Sequence, residues 1–313
     1  MDKRKLIFDM DADADNLLAL AYALASPELE VLGVVTGHGF YQPQTAAAGV
    51  KALLSALNVE LPVIAGAQRP LMRANMDKAL ERPVPGTVMD TAAWDWMYQT
   101  LKASEEKVTV CLLGTATNLM HMLHKYPDAA EKIEKILFVG GAFLFGTVTA
   151  SACHKVYFDA EGMQFLMHAG VPFYAATVDA TSGYEGGTEA AAFMEKLGGV
   201  WGEVAAKAAP AVPAARVLRA PLAMVSLTHG ELFGWDNYKC NVELHGALTY
   251  GMTVIYRNNF DGVVELESGE KVRVEVAEKD KNIWDMREFD RKKILAIVEE
   301  RLSAKNGGAA CVK

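Results

Sequence analysis

No stretch of the sequence approaches the ~18 consecutive apolar residues of a transmembrane helix, so a membrane span is not expected. Cysteine is scarce. Cys111, Cys153, Cys240 and Cys311 stand far apart and form no Cys-x-x-Cys pair, which reads most simply as a reduced, cytoplasmic compartment. There is no block of Lys and Arg, and the formal charge is −8. Nucleic acid is therefore not expected as a partner, and a polyanionic substrate would be steered away, whereas a neutral small molecule would not. The basic residues Lys3 to Lys5 precede only a short apolar stretch before acidic residues begin, unlike a signal peptide. The chain shows no internal repeat.

What is present is a large apolar fraction, 51%, against 22% charged, enough for a sizeable core and too hydrophobic for a disordered chain. Short β-rich runs alternate with helical patterns. KLIFD, VLGVVTG, LPVIAGA, KVTVCLLG, KILFVGGA and VPFYAATVD read as strands, and the segments between them carry helical periodicity. Continuous apolar strands in such alternation predict an α/β fold: an open, mostly parallel, Rossmann-like sheet with helices on both faces. From Tyr238 to about Ala277 the pattern becomes period-two, with a hairpin signal at Ser268-Gly269 and hence a late antiparallel β segment. A helix is predicted from about Arg287 to Ser303, and residues 304–313 as a flexible tail of one domain spanning 1–313. The Ala/Pro-rich stretch 205–216 reads as a loop over the sheet.

In open parallel sheets ligands sit beyond the carboxyl ends of the strands. The first such end, IFDMDADADNLLAL, carries Asp9, Asp11, Asp13 and Asp15 at every second position. Carboxylates so close repel, and a cation, a shared proton or a basic side chain must offset that. Aspartates also suit helix N-caps, which accounts for one or two of them. An EF-hand loop needs Gly at its sixth position and Glu at its twelfth, where this chain has Ala14 and Leu20. LIFDMD resembles the first motif of haloacid-dehalogenase-like phosphatases, with Asp9 as nucleophile and Asp11 as acid/base. Ala12-Asp13-Ala14 then adds charge where a phosphate would dock, and the dipeptide Gly-Asp of a later metal motif is absent.

The same turn resembles more fully the N-terminal signature of the inosine–uridine-preferring nucleoside hydrolases, Asp-x-Asp-Pro-Gly-x-Asp-Asp-Ala. Asp9, Asp11 and Asp15 match, Ala12 and Asp13 replace Pro-Gly, and Asn16 replaces the final Asp. Further segments match in order: VLGVVTGHG, LPVIAGAQRPL, VCLLGTATNL, KILFVGGAF, VYFDAEGMQFLMHAGVPFYAATVDAT and NVELHGALTYGMTVIYRN. The resemblance implies an N-glycosidase that hydrolyses a nucleoside or related N-ribosyl compound through an oxocarbenium-like state. It implies Asp11 as the base that activates water, Asp15 on the sugar hydroxyls, and Ca2+ held by Asp11, the residue at Asn16 and the Leu113 main-chain carbonyl. It also implies homo-oligomers.

Several positions depart from the family pattern. Asn16 loses a carboxylate charge. Ala220 stands where another calcium carboxylate belongs, Arg219 replaces a histidine, and Cys153-His154-Lys155 aligns with a ribose-binding Glu-x-Asn. Phe40 replaces an Asn, and ANMDKALERPVPG has no counterpart of an active-site His-Gly loop. Lys155 and Arg219 are thus gained where ligands are lost, so they are assigned to the substrate site, and one or both are expected to neutralise Asp11 and Asp15 in place of a metal. A catalytically inactive, small-molecule-binding or partner-binding descendant is the alternative. His154 is a candidate leaving-group acid by its suitable pKa. Asp159 is expected to cap a helix, Trp94 and Trp96 to pack, and His121 and His124 to sit on a half-buried helix face.

Overall fold

The computed structural model describes residues 3–39, 41–72, 92–181, 196–198, 218–256, 261–275 and 280–306. The N-terminal apolar run forms β1 (Arg4–Met10), buried from its third residue onward. Its side chains alternate as a strand requires: Leu6, Phe8 and Met10 enter the core on one face of the sheet and Ile7 the core on the other. Helix α1 (Ala14–Ala25) follows, then β2 (Leu29–Thr36), α2 (Pro43–Ala56) and β3 (Val63–Ala65). Next come α3 (Ala93–Ala103), β4 (Val108–Leu112), α4 (Thr117–Lys125) and β5 (Ile133–Val139). After two short helices, α5 (His154–Tyr157) and α6 (Ala160–Met167), the chain forms β6 (Phe173–Ala176) and α7 (Val178–Thr181). The remaining elements are α8 (Arg219–Thr228), β7 (Gly234–Val242), β8 (Thr253–Tyr256), β9 (Asp261–Glu265), β10 (Lys271–Glu275), β11 (Ile283–Arg287) and α9 (Arg291–Asn306).

The main sheet runs β3-β2-β1-β4-β5-β6-β11-β7-β8. Its first six strands and β11 are parallel, while β7 pairs antiparallel with β11 and with β8. The mostly parallel α/β sheet read from the sequence is therefore the observed one, with the antiparallel strands confined to one edge. The predicted hairpin is present as β9 and β10, with Gly269 in its connection at φ 79°. Trp96 packs over Gly33, where a Cβ would lie 2.6 Å from its ring, and Trp94 lies 5.1 Å from the His121 ring. Both tryptophans therefore serve packing.

Two readings of the C-terminal part need correction. IWDMR, residues 283–287, is a strand inserted between β6 and β7, which the sequence reading missed. Its alternation is masked by Asp285, a fully buried carboxylate that accepts from Thr177 Oγ1 at 2.8 Å and pairs with Arg287 at 2.7 Å. The last helix consequently begins at Arg291, not Arg287. The Asp290 carboxylate receives the Lys292 and Lys293 amides there, and the helix runs to Asn306. The stretch 205–216 and residues 307–313 lie outside the described residues.

Among the described residues no helix is long and apolar enough to cross a membrane.

Candidate active site

The strand order reverses between β1 and β4, the switch point at which open α/β sheets form their ligand crevice. The aspartate turn leaves the sheet there. Asp9 O accepts from Leu113 N at 2.7 Å and Gly114 N at 3.0 Å, and Met10 O accepts from Gly37 N at 3.1 Å. These bonds join the ends of β1, β2 and β4. At Gly114 a Cβ would sit 3.2 Å from Asp11 N, and at Gly39 one would sit 2.6 Å from Asp11 Oδ2. Gly39 leaves the space in which the Asp11 carboxylate stands, and Gly114 lets the end of β4 approach the backbone of Met10 and Asp11.

All four aspartates are buried, and their carboxylates are bonded in different ways. Asp9 Oδ1 accepts from Asn118 Nδ2 at 2.9 Å, and Asn118 Oδ1 in turn accepts from Ala67 N at 2.7 Å. Asp11 Oδ1 accepts from Asn16 Nδ2. Asp13 caps α1, its Oδ1 accepting from Asn16 N at 2.8 Å. Asp15 reaches across to α8, where its two oxygens accept from Leu218 N at 2.5 Å and Ala220 N at 3.0 Å. The resemblance implies Asp15 on the sugar hydroxyls. Here both of its oxygens already hold the start of α8, whose entering residue Leu218 has a left-handed φ of 90°. The capping explanation thus accounts for Asp13 and Asp15, and not for Asp9 and Asp11.

Helix α5 brings His154 and Lys155 over the turn, both buried. Lys155 Nζ donates to Asn16 Oδ1 at 3.4 Å. Arg219, the first residue of α8, is also buried, and its charge acts on Asp13 and Asp15. His154 offers a ring nitrogen that lies, with one oxygen each of Asp11 and Asp13, in a group whose atoms are all within 4.8 Å of one another. Behind this group a buried chain runs from His38 to Asp159. His38 Nε2 lies 2.8 Å from Thr117 Oγ1, and Thr117 Oγ1 donates to Asp159. Asp159 also caps α6 through Gly162 N, as expected. Thr117, His38 and Tyr41, whose hydroxyl feels the charges of Asp13 and Asp11, are site neighbours that sequence reasoning missed. The histidine in VLGVVTGHG was the available signal.

Burial pushes the Asp11 carboxyl up to about 7; the Asp13 charge adds to this, while Lys155 and the Asn16 bond oppose it. Burial likewise raises Asp15 to about 7 and Asp13 upward, opposed in both cases by Lys155 and Arg219. Asp9 is raised to about 7 by burial against its Asn118 bond, and Asp285 to about 6 by burial against Arg287. Burial lowers His38 to about 4, so this imidazole is neutral at pH 7. A carboxyl whose folded-state pKa lies above its ordinary 3.8 stabilises the fold most when protonated. That contribution is complete below about 4 and lost as pH rises through the folded-state value. Thermal stability is therefore expected to fall between about pH 4 and pH 7, by up to about 1.4 kcal/mol per pH unit for each such group, and to level off above that. The midpoint Tm against pH measures it, and Asp9→Asn should flatten the curve. A Tm that rises with pH over this range would contradict the raised values.

Asp11, Asn16 and the Leu113 carbonyl are brought together as expected, but not as a coordination sphere. Asn16 turns its nitrogen toward the other two, donating to Leu113 O at 3.0 Å and Asp11 O at 3.2 Å as well as to the Asp11 carboxylate. Its oxygen faces Lys155. Ala220 contributes only a backbone N–H, given to Asp15. The donor set does not fit the calcium ion that the resemblance implies, because calcium takes oxygen ligands and this arrangement offers it an N–H. Asp9 is fully buried against Asn118, unlike a nucleophile open to a phosphate ester.

Comparison with known proteins agrees with the geometry. A curated relative, a pyrimidine-specific ribonucleoside hydrolase of Escherichia coli O1:K1, is 29% identical over 80% of this chain and 88% of its own length. A solved plant nucleoside hydrolase superposes with a TM-score of 0.75 at 23% identity, covering 96% of this chain and 99% of that one. A purine-preferring ribonucleoside hydrolase from Gardnerella vaginalis gives 0.74 at 22%, with coverage of 96% and 99%. These two share the fold. The profile of the inosine-uridine preferring nucleoside hydrolases matches residues 6–295, and the chain belongs to that family.

Proposed function

We propose that the protein hydrolyses the N-glycosidic bond of a nucleoside, releasing the base and a reducing sugar, with Asp11 as the base that activates water. The observation that carries the reading is the Asp11 carboxylate, buried at the switch point, raised to about 7 and standing against Gly39, where a Cβ would lie 2.6 Å from its Oδ2. A general base works best with a pKa near the operating pH, and Asp11 has that value. As water adds to the anomeric carbon, its proton passes to Asp11. The sugar's transient positive charge develops beside the carboxylates of the turn, which stabilise it electrostatically in a site with little water.

Within this reading Lys155 acts through Asn16, to which it is bonded, and keeps the Asn16–Asp11 pair oriented. Arg219 stands at the start of α8 to contact the substrate. His154, close to Asp11 and Asp13, is the group suited to protonate the departing base. No step is assigned to a metal.

The test is base release from a panel of purine and pyrimidine ribo- and deoxyribonucleosides, followed by chromatography and reducing-sugar assay. Release from at least one of them is expected. A well-folded protein that releases base from none would overturn the proposal in favour of a binding protein descended from a hydrolase.

A further inference from the structure

We infer that the Asn16 carboxamide, fixed by Lys155, occupies the position a divalent cation would take beside Asp11, so that this site works without a bound metal ion. The inference concerns the same site as the proposed hydrolysis, and rests on that reading only for its kinetic consequence.

Three oxygens converge on one point: the Asp11 carboxylate Oδ1, the Asp11 carbonyl and the Leu113 carbonyl. All are acceptors, two are neutral and one carries charge, and such a set suits a hard cation. The point is filled by Asn16 Nδ2, which donates to all three. A carboxamide can be turned over, and turning it would present its oxygen to that point as an ion ligand. Two neighbours oppose the turned orientation. The amide oxygen would face three acceptors with nothing between them, and the amide nitrogen would face Lys155 Nζ, two donors head to head. As it stands, Asn16 Oδ1 accepts from Lys155 Nζ at 3.4 Å. Lys155 therefore holds the amide in the orientation that closes the point, and its charge bears on Asp11, Asp13 and Asp15. Lys155 is 5% exposed and Asn16 0%, so solvent screens neither.

The other group able to hold an ion, made by Asp11, Asp13 and His154, lies within reach of the same ammonium charge. Asp13 Oδ1 there already caps α1. A cation entering this group would meet Lys155.

The test is ion binding, independent of activity. The wild-type chain is stripped with chelator, and its Tm and calorimetric heats are recorded with calcium, magnesium, manganese and zinc in turn. No saturable heat and no change in Tm are expected. The double substitution Asn16→Asp with Lys155→Asn removes one positive charge, adds one negative charge at the point and restores an oxygen. It is expected to bind calcium with a Tm rise of about 5 °C once the ion exceeds its dissociation constant a hundredfold. A one-to-one heat with a raised Tm in the wild-type chain, for any of the four ions, would overturn the inference. So would a folded double variant indifferent to calcium. If the double variant fails to fold, the wild-type measurement decides alone. Ion indifference with no base release from the nucleoside panel would leave this inference standing and overturn the proposed function. Ion binding with base release would do the reverse.

Discussion

Asp11→Asn is expected to lower kcat for nucleoside hydrolysis by about 10²–10⁴-fold, the usual worth of a positioned general base. The substitution is nearly isosteric. The carboxamide oxygen still accepts from Asn16 Nδ2, so the turn keeps its shape. What is lost is the ability to take a proton from water. KM should change little, because the water is not a determinant of nucleoside affinity, and the loss should fall on kcat and on kcat/KM alike. Stability should hold or rise, since a carboxylate raised to about 7 by burial costs the fold something when ionised. Activity within a few-fold of wild type would remove Asp11 from its role. A lost fold would point instead to a structural carboxylate.

Asp15→Ala is expected to destabilise the protein by about 2–5 kcal/mol, read from the midpoint of urea unfolding. It deprives two amides, Leu218 N and Ala220 N, of their acceptor at a buried helix start. Each stranded donor costs about 1–3 kcal/mol, and removal of a carboxyl that burial raises to about 7 offsets part of the sum. Leu218 sits at φ 90°, a conformation that a leucine adopts only when its surroundings hold it there, and Asp15 is part of what holds it. Asp15→Asn keeps one acceptor and should cost less. Since α8 carries Arg219, loosening its start should also raise KM. Wild-type stability in Asp15→Ala, with a raised KM for ribonucleosides alone, would contradict the capping role and return Asp15 to the sugar.

The fold was legible because its signals are local. Unbroken apolar strands such as Leu6–Phe8, alternating with helical periodicity, require a sheet covered on both faces. Strand β11 escaped notice because Asp285 breaks its apolar pattern, and a long-range partner, Thr177, together with Arg287 two residues on, makes that carboxylate a core residue. The site was legible in part. The every-second spacing of the aspartates marked the turn, and resemblance singled out Asn16 and Lys155 as unusual. The division of labour among the four carboxylates depends on contacts made across more than one hundred residues of sequence. Asp9 with Asn118 and Asp15 with Leu218 are separated by 109 and 203 positions. The sense in which Asn16 presents its amide depends likewise on Leu113 and Lys155, which no local pattern connects.

Base release from the best nucleoside of the panel, followed after exhaustive chelation and again in excess calcium, tests the arrangement of Asp11, Asn16 and Lys155 most directly. Release at the same rate in both conditions is the expected result, because the oxygens that an ion would need are already bonded to the Asn16 amide. Release that disappears with chelator and returns with calcium would contradict it.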